Sequence, residues 1–319
     1  MDPEHVSLLF LTVVIVILVY VLYTQKVKEN FSDFNANTTF NALPAVFSTK
    51  PTLYWFCDSE TNARNWNDFG ARNSQLPNRG YLEVALKKAI HTQKDFHVVP
   101  VIGRNELFAL LPDLDPAAKQ LPPKLWREFV IANILWKKGG LVMDGDSTLC
   151  IGNSFYPFVK NIDTATFGIN PDEPIVSPLT AVSPGPSSFV GWSKHPNHPV
   201  WKYSADIYNT LLARGPQAWD SALARRMNQY IWEKQKQMGC SLLRGLEGSR
   251  LATGKFRQLE DIFGRLSEPI DPHTMLSKDA IYISYDGEDL QKRYEFNWFL
   301  RLSPRQLKES DFMWAKLAF

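Results

Sequence analysis

Apolar positions fall along this chain in three successive patterns. From Val6 to Tyr23 they form one charge-free run, VSLLFLTVVIVILVYVLY, and from Gln25 to Lys50 the chain is polar, Asn-rich and aperiodic. From Pro51 onward short β-prone runs alternate with helix-spaced ones. Leu53 to Cys57, entered through Pro51, reads as a first strand. Glu83 to Thr92 has helical spacing, with Leu82, Leu86, Ala89 and Ile90 on one side. Phe96 to Ile102 is a second strand, and Pro100 within it implies an edge or a bulge. Asn105 to Leu111 is a short helix. Lys124 to Lys138 is a longer one, opened by Pro122-Pro123 and closed by Lys137-Lys138-Gly139-Gly140, since late lysines and a following Gly are C-terminal signals. Leu141 to Met143 then reads as a brief buried strand. Strand and helix in this alternation predict an α/β sheet with right-handed crossovers. Further on, Ala280 to Tyr285 is a strand, and Trp298 to Leu302 another strand or a closing segment. Arg225-Arg226 and Glu233 to Gln237 fit a helix with a solvated face.

The first run would make a helix about 27 Å long, close to the hydrocarbon thickness of a bilayer. It is apolar on every face, unlike a surface helix. The leading segment is acidic and no small-x-small site follows Tyr23, which favours a retained anchor over a cleaved signal peptide. The expected organisation is a tail at 1–5, a transmembrane anchor at 6–23, a linker at 24–50 and one globular domain at 51–319. Asp2 and Glu4 precede the span while Lys26 and Lys28 follow it, so the charge flanks place the large domain in the cytosol. The Asn-x-Ser/Thr triplets at Asn30 and Asn37 would serve as glycosylation acceptors only in the alternative topology, with the domain in the Golgi or ER lumen.

Composition narrows the picture further. With 45% hydrophobic and 13% aromatic residues among 319, the chain is neither disordered nor collagen-like. Its 35 basic and 33 acidic residues lack the charge excess of a nucleic-acid binder, so no nucleic-acid partner is expected. Cys57, Cys150 and Cys240 lie far apart and match no zinc spacing; reduced thiols are the simplest reading, with one disulfide plus a free thiol as the alternative. Gly-x-Gly-x-x-Gly, Walker and Gly-x-Ser-x-Gly patterns are all absent, which leaves dehydrogenase, P-loop and hydrolase readings without support.

The chemistry concentrates at Asp144-Gly145-Asp146, at the end of the third strand. Residues two apart in extended chain point to one side, so both carboxylates can face one ligand, and Gly between them allows close backbone approach. Two convergent carboxylates are hard ligands suited to Mg²⁺ or Mn²⁺, which would in turn hold a diphosphate. The bland alternative is a tight turn capped by its own Asp side chains. A second Asp-x-Asp, Asp113-Leu114-Asp115, sits between prolines and reads as a solvated loop. Trp55, Trp192 and Trp201 could stack on a base or sugar ring or belong to the core. His195 reads as a surface or packing histidine, and His198, in the same Pro-rich loop, either as another such histidine or as a further ligand or phosphate partner.

The stretch from Trp126 to Asp146 (WREFVIANILWKKGGLVMDGD) resembles the Asp-x-x-Arg … Leu-Tyr-x-x-Gly-Gly-x-Tyr-x-Asp-x-Asp signature of glycosyltransferase family 32 and the related capsular polysaccharide synthesis proteins. Thr52 to Phe56 is similar to that family's opening strand, and Phe189 to Trp201 to its later Gly-His-Pro region. The resemblance implies a GT-A fold and a UDP- or GDP-sugar donor. It also implies Mn²⁺ or Mg²⁺ on Asp144 and Asp146, retention of anomeric configuration, and a glycan, lipid or protein acceptor. On this reading Asp144, Asp146 and Glu128 are the catalytic set, and Trp55, Arg127 and His198 contact the donor. The family's Asp and Arg fall on Glu128 and Ile131, and its Tyr on Val142. Ile cannot replace Arg, but Arg127 lies one turn earlier on the same helical face. The departures raise a second expectation, a catalytically inactive GT-A-like membrane protein such as a virion or organelle membrane component. A metal hydrolase, the third, would need more His or Asp ligands than the sequence offers.

Overall fold

In a computed structural model, residues 50–58, 80–168, 186–216, 219, 230–248, 258–264, 276, 279–296 and 298–319 are described. The chain divides into Met1–Leu43 and Pro44–Phe319, and every described residue lies in the second unit. The expected span at 6–23, the acceptor triplets and Arg225-Arg226 fall outside the described residues. Among those described, no helix is long and apolar enough to cross a membrane.

Strands β1 (Thr52–Cys57), β2 (His97–Ile102), β3 (Gly140–Asp144), β5 (Thr164–Gly168), β6 (Pro186–Ser193) and β7 (Ser241–Arg244) form one six-stranded sheet, ordered β2-β1-β3-β6-β5-β7. The strand between, β4 (Thr148–Cys150), instead pairs antiparallel with β8 (Tyr282–Ser284). In the main sheet β1 pairs parallel with both β2 and β3, whereas β6 runs antiparallel to its two neighbours. This is an α/β fold with a mixed sheet. Pro100 lies on β2, an edge strand, where a missing N–H is tolerated.

Strand alternation builds two cores. Leu53, Trp55, Cys57, Leu141 and Met143 enter one, together with helix α1 (Gly80–Thr92). Tyr54, Phe56 and Val142 enter the other, on which α2 (Arg104–Leu110), α3 (Pro123–Lys137) and α4 (Pro199–Ala213) pack. Burial of both faces explains why β1 reads as a continuous apolar run rather than an alternating one. The chain leaves β1 through α1 toward β2 on one face, then passes α2 and α3 on the opposite face to reach β3 beyond β1. The order therefore reverses at the β1/β3 boundary, and a crevice at such a reversal, outside the strands' carboxyl ends, is where α/β sheets bind ligands.

The sequence boundaries hold with small shifts. Helix α1 begins three residues before Glu83, and Ile90 is exposed because the buried stripe is Leu82, Ala85, Leu86 and Ala89. Helix α3 ends as expected: the Gly139 N–H reaches the Leu135 carbonyl at 3.1 Å, and Gly139 and Gly140 take φ of 69° and 86°. Trp298–Leu302 is not a strand. Phe299–Arg301 is a 3₁₀ turn in which the consecutive Phe299 and Leu300 are both buried, a pattern that a half-buried strand cannot give. The turn closes the first core, where Phe299 packs on Tyr81, Phe263 and Trp314.

Cys57, Cys150 and Cys240 are all buried and none forms a disulfide, which removes the disulfide alternative. Burial pushes the Cys150 thiol up to about 12, against hydrogen bonds from Thr92 and Gln93 and the charge of Lys88, and the Cys240 thiol up to about 11. A thiol raised in this way favours the protonated native state. Its contribution is complete below the ordinary thiol value of 9.0 and is lost as pH climbs from there toward 12. We predict that Ellman's reagent leaves these thiols unmodified at pH 8 until denaturant is added, and that the urea midpoint falls progressively above pH 9. Rapid labelling of the native chain would contradict this burial.

Candidate functional site at the carboxyl edge of the sheet

The site follows from a register. Phe56 of β1 stands opposite Asp144 of β3 at the end of the paired strands, and just beyond them Asp58 meets the Asp144-Gly145-Asp146 turn. The Gly145 N–H donates to the Phe56 carbonyl at 2.7 Å, and the Asp58 N–H donates to Asp146 Oδ2. Asp144 follows the parity of Val142 and Asp58 that of Phe56, so both carboxylates project on the face covered by α2 and α3. Each meets a cation there. Arg104 of α2 donates to Asp58 Oδ2 through Nε at 3.1 Å and Nη2 at 2.6 Å. Arg127 of α3 lies 3.8 Å from Asp144 Oδ2, with its guanidinium 4.3 Å above the Phe189 ring.

The two arginines differ in how fully they are used. Arg104 also donates to the carbonyls of Lys119 and Leu121 and stacks 4.7 Å over Trp126. Arg127 Nε is buried without a hydrogen-bond partner. A buried donor left unsatisfied costs about 1–3 kcal/mol, which an acceptor brought by a ligand would recover.

Gly145 shapes the turn. A Cβ there would lie 2.2 Å from Cζ2 of Trp55, so the backbone rests directly on the indole face. Trp55 is 2% exposed and serves as the floor of the turn, not as a stacking surface for a ligand. The small β4/β8 sheet brings in a fourth carboxylate. The Tyr285 N–H reaches the Ser147 carbonyl at 2.8 Å, and Asp286 next to it pairs with Lys124 of α3 at 3.0 Å.

Electrostatics separate these carboxylates. Burial raises the Asp144 carboxyl above the usual range, and the charge of Asp58 adds to this; Arg127, Ser147 and the Asp146 N–H only partly offset it. Burial pushes Asp286 the same way, but the charges of Lys124 and Arg127 and the hydrogen bonds from Lys124 and the Asp289 N–H outweigh it, so its carboxyl sits below the usual range.

Comparison of the chain with protein-family models, with curated proteins and with solved structures gave no match.

Of the residues expected from sequence, the structure brings together Asp144, Asp146 and Arg127. Glu128 is hydrogen-bonded by the Tyr208 hydroxyl of α4 and helps hold α3 to α4; Tyr208 titrates well above its ordinary value through burial and then that neighbouring charge. His198 lies elsewhere. Because β6 is antiparallel to β3, Ser193 stands opposite Gly140, so the loop that follows β6 is at the amino edge of the sheet. There His198 caps α4, its Nδ1 accepting from the Val200 N–H at 3.3 Å, and burial lowers its pKa in keeping with a neutral acceptor. Trp192 and Trp201 are core residues whose indoles donate to the carbonyls of Ile162 and Trp192. Asp115 caps a 3₁₀ turn and Asp113 is 83% exposed, as expected for a solvated loop. Sequence reading missed Asp58, Arg104, Lys124 and Asp286. Asp58 was within reach, since it follows the first strand as Asp144 ends the third; Asp286 depends on a pairing with no local signal.

Among the described residues no group of three His, Cys, Asp or Glu side chains could hold a metal ion. One oxygen of each carboxylate of the Asp144-Gly145-Asp146 turn accepts a backbone N–H, from Asp146 at 3.0 Å and from Asp58. This donor set fits a Mg²⁺- or Mn²⁺-type cation held by two carboxylates that draws its other ligands from water and substrate oxygens; it does not fit an all-protein cage.

Gly145→Ala should drive the turn off Trp55 and cost about 1–3 kcal/mol of stability. Trp55→Phe removes the ring atoms that a new Cβ would strike. The double variant should then recover at least about 1 kcal/mol of that loss in a urea-unfolding cycle, and strict additivity would overturn the packing argument.

Proposed function

We propose that this chain is a metal-dependent glycosyltransferase of GT-A type that moves a sugar from a UDP- or GDP-sugar to a glycan, lipid or protein acceptor, with retention. Residues 6–23 hold it to a membrane with the domain on the cytosolic side. One observation carries the reading: the Asp144-Gly145-Asp146 carboxylates stand at the carboxyl edge of β3, beside the point where strand order reverses. The motif resemblance and the α/β sheet agree with it.

Asp144 and Asp146 would hold the cation, which supplies neutralisation of charge on a departing diphosphate when bound. The chain's own groups do the rest. Asp58 fixes Asp146 through its N–H, and Arg104 fixes Asp58 in turn. Lys124 and Arg127, on the first turns of α3, present positive charge toward the same edge, where α3 also turns its positive dipole end. Trp55 and Gly145 keep the turn flat against the sheet. Glu128 acts through α3 packing rather than at the reacting atoms.

A second reading, a GT-A-like membrane protein without catalysis, is favoured by the ion pair that already neutralises Asp144. The two are separable in one experiment. The full chain in detergent is offered a panel of UDP- and GDP-sugars with Mn²⁺ or with EDTA, following nucleoside diphosphate release and, by calorimetry, donor binding. The transferase reading expects metal-dependent turnover of one donor, reduced about a hundredfold or more in Asp144→Ala and Asp146→Ala. Neither turnover nor metal-dependent donor binding would leave the non-catalytic reading in its place.

A further inference from the structure

We propose that Arg127 is an internal competitor for the cation site: it occupies Asp144 in the ligand-free chain and releases it when an anionic ligand arrives. Cation and phosphate-bearing ligand then bind cooperatively. This rests on the metal-binding reading of Asp144 and Asp146 and adds an order to it.

Three observations carry the inference. The guanidinium stands 3.8 Å from Asp144 Oδ2, too far for a hydrogen bond but close enough to neutralise the oxygen a dication would approach. It is held loosely for a guanidinium that is mostly buried. A planar group with five N–H donors faces one aromatic ring and the Asp144 carboxylate at 3.8 Å, shares its charge with Asp286, and leaves its Nε buried without a partner. Nearby Arg104 shows the contrasting state, donating twice to Asp58 Oδ2 and once to each of two carbonyls. The surroundings also supply a route for the displaced charge. Lys124 sits one turn earlier on α3, paired with Asp286 at 3.0 Å, so an anion reaching Arg127 meets a second cation from the same helix.

The consequences follow from linkage. A dication entering the Asp144–Asp146 turn alone must separate Asp144 from Arg127 and then stand beside an uncompensated guanidinium. A diphosphate drawn to Arg127 satisfies its donors, removes that repulsion and lends oxygens to the cation. Each ligand thus raises the affinity for the other by the same factor. The recognising chemistry is a phosphate or diphosphate group, whatever base or sugar it carries.

Mn²⁺ binding to the full chain in detergent tests this, read by electron paramagnetic resonance of free Mn²⁺ with and without inorganic pyrophosphate, with controls for Mn²⁺–pyrophosphate association in solution. Wild type should bind Mn²⁺ weakly alone and at least tenfold more tightly with pyrophosphate. Arg127→Met should bind Mn²⁺ alone at least tenfold more tightly than wild type, and gain less from pyrophosphate. Arg127→Lys, which keeps the charge and tolerates the site better, should fall between the two. Damage to the fold does not tighten metal binding, so the expected gain distinguishes competition from a structural role. Equal or weaker Mn²⁺ binding by both variants overturns the competition and leaves the metal site standing. Absence of Mn²⁺ binding in all forms, with and without pyrophosphate, overturns both.

Discussion

The structure depends on the parallel pairing of β1 with β3. These strands are separated in sequence by three helices and an edge strand, and their register decides which residues meet at the carboxyl edge. With Phe56 opposite Asp144, the Gly145 N–H reaches the Phe56 carbonyl, and beyond it the Asp58 N–H reaches the Asp146 side chain. Side chains alternate along strands, so a slip of one residue would turn Asp144 toward Leu141 and Met143 in an apolar core. Such a slip is prevented from both faces. Trp55 lies under Gly145 with no room for a Cβ, and Gly140 is held against the Thr52 carbonyl, where a Cβ would approach to 2.5 Å. The two glycines pin the strand at both ends.

A fixed register places several carboxylates in a small, partly dry space, which a fold tolerates only with compensation. Asp58, Asp144 and Asp286 each face a cation, from α2 or the first turns of α3. The compensation is uneven. Arg104 makes four hydrogen bonds, and removing either partner of so well-held a buried pair is strongly destabilising. Arg127 is under-used and Lys124 is 40% exposed. One end of the edge is therefore structural and the other adaptable, and the adaptable end is the one that adjoins Asp144.

Much of this is legible in the sequence. The first three strands, the three helices between them and the strand-end Asp pair follow from apolar spacing, the proline entry to α3 and the Lys-Lys-Gly-Gly exit. Pro100 implied an edge or a bulge for β2, and the sheet has it at the edge. The sequence also pointed to Arg127, because residues four apart share a helical face and Ile131 could not supply a charge. What was not legible is non-local. Glu128 and Arg127 are neighbours in sequence, but about 100° apart on the helix, and only packing against α4 turns the former to Tyr208. His198 was misplaced for a topological reason: β6 runs against its neighbours, so a loop expected near the carboxylates emerges at the far edge. Asp286 reaches the site through the β4/β8 pair, a contact across more than a hundred residues that no local pattern encodes.

The chemistry of the edge follows from its charge arrangement. Four carboxylates, Asp58, Asp144, Asp146 and Asp286, face three cations, Arg104, Arg127 and Lys124, so the ligand-free edge is nearly balanced. Adding a dication alone leaves a surplus of positive charge in a poorly solvated place, and adding a dianion alone sets it against the carboxylates. Adding both restores the balance, and each supplies what the other lacks: oxygens for the cation, positive charge for the anion. A pair of carboxylates, each with one oxygen already committed to a backbone N–H, has too few donors to hold Mg²⁺ or Mn²⁺ unaided. The same shortage that makes this turn a poor metal cage suits it to a metal that travels with its phosphate.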